Sequence, residues 1–125
     1  MKTLLLADDN KDMVELVKLV LSNSGYNIIT VADGKDAVHT CLEINPDMVI
    51  MDIKMPNMDG LTASSTLRAK GYVKPIIILT ASEREQDRES AKKCGCNGYI
   101  LKTMDMAEVE PIVDKYLAEA GHGLE

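Results

Sequence analysis

Bulky aromatic residues are scarce in this chain, which has no Trp, no Phe and four Tyr among its 125 residues. Proteins that bind single-stranded nucleic acid usually stack the bases on aromatic side chains, and such a platform is poorly supplied here. Basic residues are also in the minority, since 14 Lys and Arg stand against 20 Asp and Glu, for a formal net charge of -6. A phosphate backbone would meet little attraction, so we expect no direct nucleic-acid binding.

Long hydrophobic runs are missing as well. The longest runs of Leu, Ile, Val and Met, MVIM at 48–51 and IIIL at 76–79, fall far short of a bilayer span, and LLLA at 4–7 is too short for a signal-peptide core. Cysteine occurs at three positions, an odd count that favours reduced thiols over a disulfide framework. We therefore expect a cytoplasmic protein that does not contact a membrane.

Short apolar segments are what the chain does contain, and they alternate with segments of helical period from end to end. Each is bounded by polar or turn residues and is typical of a strand buried on both faces. The predicted strands cover residues 3–7, 27–32, 47–52, 75–80 and 98–102. Strict alternation of strands and helices predicts one domain with a doubly wound, five-stranded parallel sheet and helices on both faces.

The helices are predicted from apolar stripes and from capping residues. In the first helix the stripe that should face the sheet consists of Met13, Leu16, Val17, Val20 and Leu21. Ser82 with Glu85 three residues later matches a capping box and predicts a fourth helix over 83–94. Pro111 leaves two alternatives for the fifth helix, a late start near Glu108 or a bend at the proline.

Polar residues follow four of the predicted strands. Asp8 and Asp9 come directly after the first strand, Asp52 closes the third, Thr80 closes the fourth, and Lys102 closes the fifth. Ligands of doubly wound folds bind at the carboxyl ends of the strands, so we expect these side chains to share one site. Adjacent carboxylates repel one another unless a cation intervenes, and Mg²⁺ prefers carboxylate oxygens while leaving positions open for phosphate.

The same set of residues has the composition of a phosphoryl-transfer site. Lys102 supplies a fixed positive charge and Thr80 a hydroxyl donor for phosphoryl oxygens. A metal, a lysine and a threonine around an aspartate supply the positioning and charge neutralisation that phosphoryl transfer needs. Asp52 is the best candidate nucleophile because it stands alone after the central apolar strand, whereas Asp8 and Asp9 are paired.

Four motifs carry a resemblance to a known family: ADDN at 7–10, VIMDIKMPNMDG at 49–60, ILTAS at 78–82 and NGYILK at 97–102. In this order and spacing they resemble a response-regulator receiver domain of two-component signalling, of the single-domain kind seen in chemotaxis regulators, over residues 2–120. The resemblance implies a flavodoxin-like fold with strand order 2-1-3-4-5. It also implies a receiver domain at 1–120 and a C-terminal tail at 121–125, which we interpret in part as a cloning remnant.

The resemblance further implies a role for each site residue. Asp52 would accept a phosphoryl group from a phosphohistidine on a sensor histidine kinase or phosphotransfer protein. Mg²⁺ would be bound by the Asp9 and Asp52 carboxylates and the Lys54 backbone carbonyl, with Asp8 reaching it through water. The chain would act as a phosphoacceptor signalling domain that promotes its own phosphorylation and slow dephosphorylation, and not as an enzyme in the ordinary sense.

Thr80 and Lys102 would then bind the phosphoryl oxygens, and Tyr99 would turn inward on activation. The surface made by the fourth helix, the fifth strand and the fifth helix would change, and it would contact a downstream protein or a second copy of the chain. Phosphorylation adds roughly −1.5 to −2 charges with strong acceptor oxygens, which is enough to draw a hydroxyl inward.

Two departures from the family pattern keep alternatives in view. Thr103 stands where the family usually has a proline after the lysine, and Pro111 lies on the expected output surface. They leave room for a pseudo-receiver that binds partners without phosphorylation. An aspartate-nucleophile phosphatase would need a second aspartate where Lys54 stands, and a flavin carrier would need a hydroxyl-rich loop where Asp8 and Asp9 stand.

Overall fold

The chain alternates strand and helix throughout the part that the structure describes. A computed structural model describes residues 1–123. In chain order its elements are β1 (Thr3–Ala7), α1 (Lys11–Asn23), β2 (Asn27–Val31), α2 (Gly34–Ile44), β3 (Met48–Met51), α3 (Gly60–Ala69), β4 (Ile76–Thr80), α4 (Glu85–Lys93), β5 (Gly98–Leu101), a 3₁₀ turn (Met106–Glu108) and α5 (Val109–Gly123).

The five strands form one parallel sheet in the order β2-β1-β3-β4-β5. This confirms the doubly wound, flavodoxin-like fold and its strand order. The predicted strands agree with the observed ones to within a residue at each end. Among the described residues, no helix has both the length and the apolar character that crossing a bilayer requires.

The hydrophobic core lies on both faces of the sheet, because successive strand residues point to opposite sides. Leu4 and Leu6 of β1 pack with side chains of α1 and α5. Leu5 and Ala7 pack with side chains of α2, α3 and α4 on the other face. Both faces of the central strands are therefore dry, and polar residues of these strands can reach solvent only at the strand ends.

The register of the sheet sets the residues of the predicted site side by side. Ala7 of β1 pairs with Met51 of β3, and the backbone N–H of Asp52 donates to the Ala7 carbonyl at 2.9 Å. On the other side, the N–H of Lys102 donates to the Thr80 carbonyl at 2.7 Å. Asp8 and Asp52 thus leave neighbouring strands at the same edge, as the sequence predicted.

The apolar stripe predicted for α1 is wrong at one position. Val17 and Leu21 are fully buried, and Met13 and Val20 are half-buried, but Leu16 is 43% exposed. Side chains one residue apart on a helix point about 100° away from each other. The buried face of α1 is centred on Val17, and Leu16 lies beyond its edge.

The predicted start of α4 is also wrong. The helix begins at Glu85, two residues later than the capping-box pattern indicated, and its N-cap, Arg84, makes no side-chain capping bond. The Ser82 hydroxyl donates instead to the carboxylate of Asp87. The Ser82 oxygen accepts from the N–H of Arg84 at 3.3 Å, and because Arg84 precedes the first residue of the helix, Ser82 does not cap an N–H inside α4.

For α5 the structure selects the late start. A 3₁₀ turn at Met106–Glu108 precedes the helix, which begins at Val109. Pro111 therefore lies in the first turn, where backbone N–H groups have no partner within the helix and a proline removes no hydrogen bond. The helix runs to Gly123, and residues 124 and 125 of the predicted tail lie outside the described part of the chain.

Candidate functional site

Three carboxylates meet where β1 and β3 end. One oxygen from each of Asp8, Asp9 and Asp52 can be chosen so that all three atoms lie within 4.8 Å of one another. Asp8 is 3% and Asp52 is 7% exposed, whereas Asp9 faces solvent. Three negative charges at this spacing are unfavourable unless cations share the site.

One cation is supplied by the chain itself. The Lys102 ammonium lies 2.8 Å from Oδ2 of Asp52 and 2.9 Å from Oδ2 of Asp8. Burial lowers the pKa of Lys102, but its hydrogen bond to Asp52 and the negative charges of Asp52 and Asp8 outweigh that effect, so its pKa lies above the ordinary lysine value. Lys102 is therefore charged at neutral pH, and its ammonium bridges the carboxylates of Asp8 and Asp52.

The donor set at this edge fits a divalent cation. One ammonium against three carboxylates leaves an excess of negative charge, and the buried Oδ2 of Asp8 accepts no hydrogen bond of good geometry even though Lys102 lies beside it. Clustered carboxylate oxygens without nitrogen or sulfur donors are the ligands that Mg²⁺ selects. The solvent-facing side of the cluster is the side on which Asp9 stands.

Backbone donors fix the direction of the two buried carboxylates. Oδ1 of Asp52 accepts from the N–H of Ile53 at 2.7 Å, and Oδ1 of Asp8 accepts from the N–H of Asn10 at 2.9 Å. Each acid therefore has one oxygen held by its own loop and the other turned toward Lys102. Such fixed acceptors need little rearrangement when a charged ligand arrives.

A cavity of about 330 Å³ opens beside Asp52. It is lined by the loop after β3, by the end of β4 and the loop and first turn of α4 that follow it, and by the residue after β5. Its lining includes Asp52, Lys54, Thr80, Ser82 and Lys102. Thr80 is 4% exposed, and its hydroxyl oxygen accepts from the N–H of Ser82 at 3.4 Å, which leaves the hydroxyl proton to donate elsewhere. A carboxylate, an ammonium and a hydroxyl thus face one cavity.

The loop that carries Lys54 is shaped by contacts that sequence reasoning missed. The N–H of Gly60 donates to the Ile53 carbonyl at 2.7 Å, and a Cβ at Gly60 would stand 1.9 Å from the Asp52 carbonyl oxygen. Asn57 has a φ of 68° and donates from its side chain to Asp33 at 2.8 Å. The glycine in NMDG was the available signal for this close approach.

Tyr99 lies beside the cavity rather than in its lining. Its hydroxyl donates to the Ser82 carbonyl at 3.0 Å, and the guanidinium of Arg88 stands over its ring, 4.6 Å from the centroid. Burial raises the pKa of the Tyr99 phenol, which keeps it a hydrogen-bond donor. Arg88 and Asp87 were also missed, because nothing in a local pattern indicates contacts between α4 and distant residues.

The fold and this edge of the sheet define a class of protein: a doubly wound α/β domain with an acid–lysine–threonine site at its strand ends. The model of the response regulator receiver domain matches residues 4–114, so the chain belongs to that family of two-component signalling domains. This confirms the resemblance that the motifs indicated.

Three similar proteins agree with this assignment. The alkaline phosphatase synthesis transcriptional regulatory protein PhoP of Bacillus subtilis is 32% identical over 93% of this chain, which spans about half (48%) of that protein. The receiver domain of a sensor histidine kinase from Pseudomonas aeruginosa is 33% identical, with a TM-score of 0.86 and coverage of 94% of this chain and 98% of that one. Its structure holds a magnesium ion in the active-site cleft. A Francisella response regulator receiver domain has a TM-score of 0.89 at 26% identity and covers 95% of this chain and 98% of its own.

Proposed function

We propose that this domain accepts a phosphoryl group on Asp52 from the phosphohistidine of a sensor histidine kinase or a phosphotransfer protein. One observation carries the proposal: Lys102 bridges the carboxylates of Asp52 and Asp8, next to Asp9, at a cavity that Thr80 also lines. The family supports the same function, because response regulators receive signals in two-component systems. The proposal includes a cytoplasmic location.

In the proposed step a carboxylate oxygen of Asp52 bonds to phosphorus while the bond between phosphorus and the donor's imidazole nitrogen breaks. The electron pair of that bond stays on the imidazole, and the product is an acyl phosphate on Asp52. Lys102 and the Thr80 hydroxyl bind oxygens of the transferred group, because both face the cavity and both are donors. The Ile53 N–H holds the other Asp52 oxygen during the exchange.

Mg²⁺, when bound, would neutralise charge on the carboxylates and on the transferred phosphoryl oxygens. Asp9, Asp52 and the Lys54 carbonyl are its proposed direct ligands, with Asp8 acting through water. The division between the two neighbouring acids is supported by their surroundings, since Asp9 is exposed whereas Asp8 is buried against Lys102. The magnesium in the Pseudomonas receiver domain supports the choice of metal.

The proposed output is a change of the surface formed by α4, β5 and α5. Thr80 and Tyr99 are the proposed switch residues, because Ser82 contacts both of them. This surface would bind a downstream protein or a second copy of the chain. PhoP of Bacillus subtilis, one of the similar proteins, is a transcriptional regulator about twice the length of this chain. This supports a signalling role rather than turnover of a substrate.

The test is intact-mass measurement after incubation with Mg²⁺ and acetyl phosphate, a small phosphodonor. Wild type should gain the mass of one phosphoryl group, and Asp52→Asn should gain none because the amide is not a nucleophile. Asp12→Asn, which removes an exposed acid in the first turn of α1, is the matched control and should behave as wild type. An unchanged wild-type mass together with no beryllofluoride complex would support the pseudo-receiver, and continuing phosphate release from many substrates would support an enzyme.

A further inference from the structure

Helix α4 is attached to the rest of the domain by little apolar surface. Of its nine residues, all within the described part of the chain, only Ala91 is buried. The helix before it, α3, buries Gly60, Ala63, Ser64 and Leu67. Apolar burial is the main stabilising contribution to the docking of a helix, so the position of α4 must depend on other contacts.

Two consecutive residues of α4 provide those contacts. The Asp87 carboxylate accepts a hydrogen bond from the Ser82 hydroxyl, and the Arg88 guanidinium covers the Tyr99 ring at 4.6 Å from its centroid. The first contact holds the helix to the loop that follows β4, and the second holds it to β5. Lys92, one turn further along, lines the same small cleft beside Tyr99 but is exposed.

Ser82, which lines the cavity, connects both contacts to Thr80. Its N–H donates to the Thr80 hydroxyl at 3.4 Å, its hydroxyl donates to Asp87, and its carbonyl accepts from the Tyr99 hydroxyl at 3.0 Å. A shift of the Thr80 hydroxyl toward a phosphoryl oxygen would remove the acceptor of the Ser82 N–H. The loop that holds α4 would then lose one of its fixed points.

We propose that Asp87 and Arg88 form a two-point polar tether that holds α4 on Ser82 and Tyr99, and that the strength of this tether sets how readily the occupied site displaces the helix. The proposal rests on the proposed function, because it assigns a regulatory contact to that site. A ligand that favours the displaced helix must work against the tether, so weakening the tether makes displacement easier.

The first measurement is amide hydrogen exchange of the unphosphorylated protein, with α1 as the internal reference. In Arg88→Met the side chain keeps an unbranched apolar stem but loses the cation over the Tyr99 ring, and exchange in α4 should rise by about two- to fivefold relative to α1. Lys92→Met is the matched control and should leave the ratio unchanged. Arg88→Lys should restore part of the protection, because an ammonium also binds an aromatic face.

The second measurement is a beryllofluoride titration at fixed Mg²⁺, followed by amide chemical shifts. The midpoint for Arg88→Met should fall by about the factor by which exchange rises. No change in α4 exchange, or a rise in exchange without a lower midpoint, would overturn the proposal. Failure of wild type to bind beryllofluoride and to gain phosphoryl mass would instead overturn the proposed function, while the exchange experiment would still report the contact.

Discussion

Lys102 Nζ lies 2.8 Å from Oδ2 of Asp52, so the end of β5 is joined to the end of β3 across the intervening strand β4. The same ammonium contacts Asp8 at the end of β1. Its side chain is 14% exposed, and those of Asp8 and Asp52 are 1% and 10% exposed. The interaction is therefore a largely buried cluster rather than a surface ion pair, and its removal should have measurable consequences.

Replacing Lys102 with methionine should lower the free energy of unfolding by about 3 kcal/mol near pH 8 without Mg²⁺, because two buried carboxylates lose their counter-ion. Urea unfolding measures the change. Lys54→Met is the matched control, since Lys54 borders the same cavity but is exposed, and it should change stability by less than about 0.5 kcal/mol. Equal effects of the two substitutions would contradict the buried-pair interpretation.

The stabilisation by Lys102 should depend on pH with a definite sign. Its pKa is raised in the folded protein, because its hydrogen bond to Asp52 and the negative charges of Asp52 and Asp8 outweigh the opposing effect of burial. The contribution is therefore complete below the unfolded lysine pKa of about 10.4 and is lost as the pH rises through the raised folded value. The difference in urea midpoint between wild type and Lys102→Met should be constant from about pH 8 to about pH 10 and should narrow above that. A difference that widens at alkaline pH would contradict this.

Removing one acid from the cluster should have opposite effects on stability without and with Mg²⁺, because the acids repel one another but also bind the metal. Asp9→Asn should unfold at a higher temperature than wild type without Mg²⁺, because one of three close negative charges is gone. Wild type should gain about 1.4 kcal/mol when Mg²⁺ is at ten times its Kd, and the variant should gain much less at the same concentration. Thermal unfolding with and without Mg²⁺ gives both numbers. An equal gain in the two proteins would exclude Asp9 as a ligand.

Gly60 should tolerate no side chain, because a Cβ there would overlap the Asp52 carbonyl oxygen. Gly60→Ala should cost about 2–4 kcal/mol of stability and should slow phosphoryl uptake by moving Asp52. Gly71→Ala is the control: its φ is 95° and its surroundings are open, so it should cost about 1 kcal/mol and leave uptake unchanged. Urea unfolding and intact mass are the measurements, and similar effects at both glycines would show that the loop can adjust.

The site could be predicted from the sequence because its residues stand directly after apolar strands. Asp8, Asp52 and Lys102 each follow an apolar run that is typical of a strand, and parallel strands bring their carboxyl ends to one edge. The alternation of strands and helices along the sequence also predicts a doubly wound α/β fold. The order of the strands does not follow from alternation, and it came from the family resemblance.

Other features depend on contacts that no local pattern records. Ser82 and Glu85 match a capping box, but the Ser82 hydroxyl bonds to Asp87 and α4 starts later. From the sequence, Arg88 is expected to be a solvated charge. In the structure, β5 places the ring of Tyr99 beneath its guanidinium. From the sequence, Leu16 is expected to lie in the core. The apolar side of α1 is wider than the part of the helix that the sheet covers, so Leu16 is left exposed. In each case a tertiary neighbour decides between two local possibilities.

The link between Asp8 and Lys102 has a consequence for the order in which the domain can be completed. On the ribosome Asp8 emerges well before Lys102, because β1 precedes β5 in the chain. Until β5 docks, three acids at the sheet edge lack their ammonium, and a nascent chain that stops at β4 carries an uncompensated charge cluster. The complete site therefore forms only when the last strand docks, and repulsion among the three acids disfavours a sheet that still lacks β5.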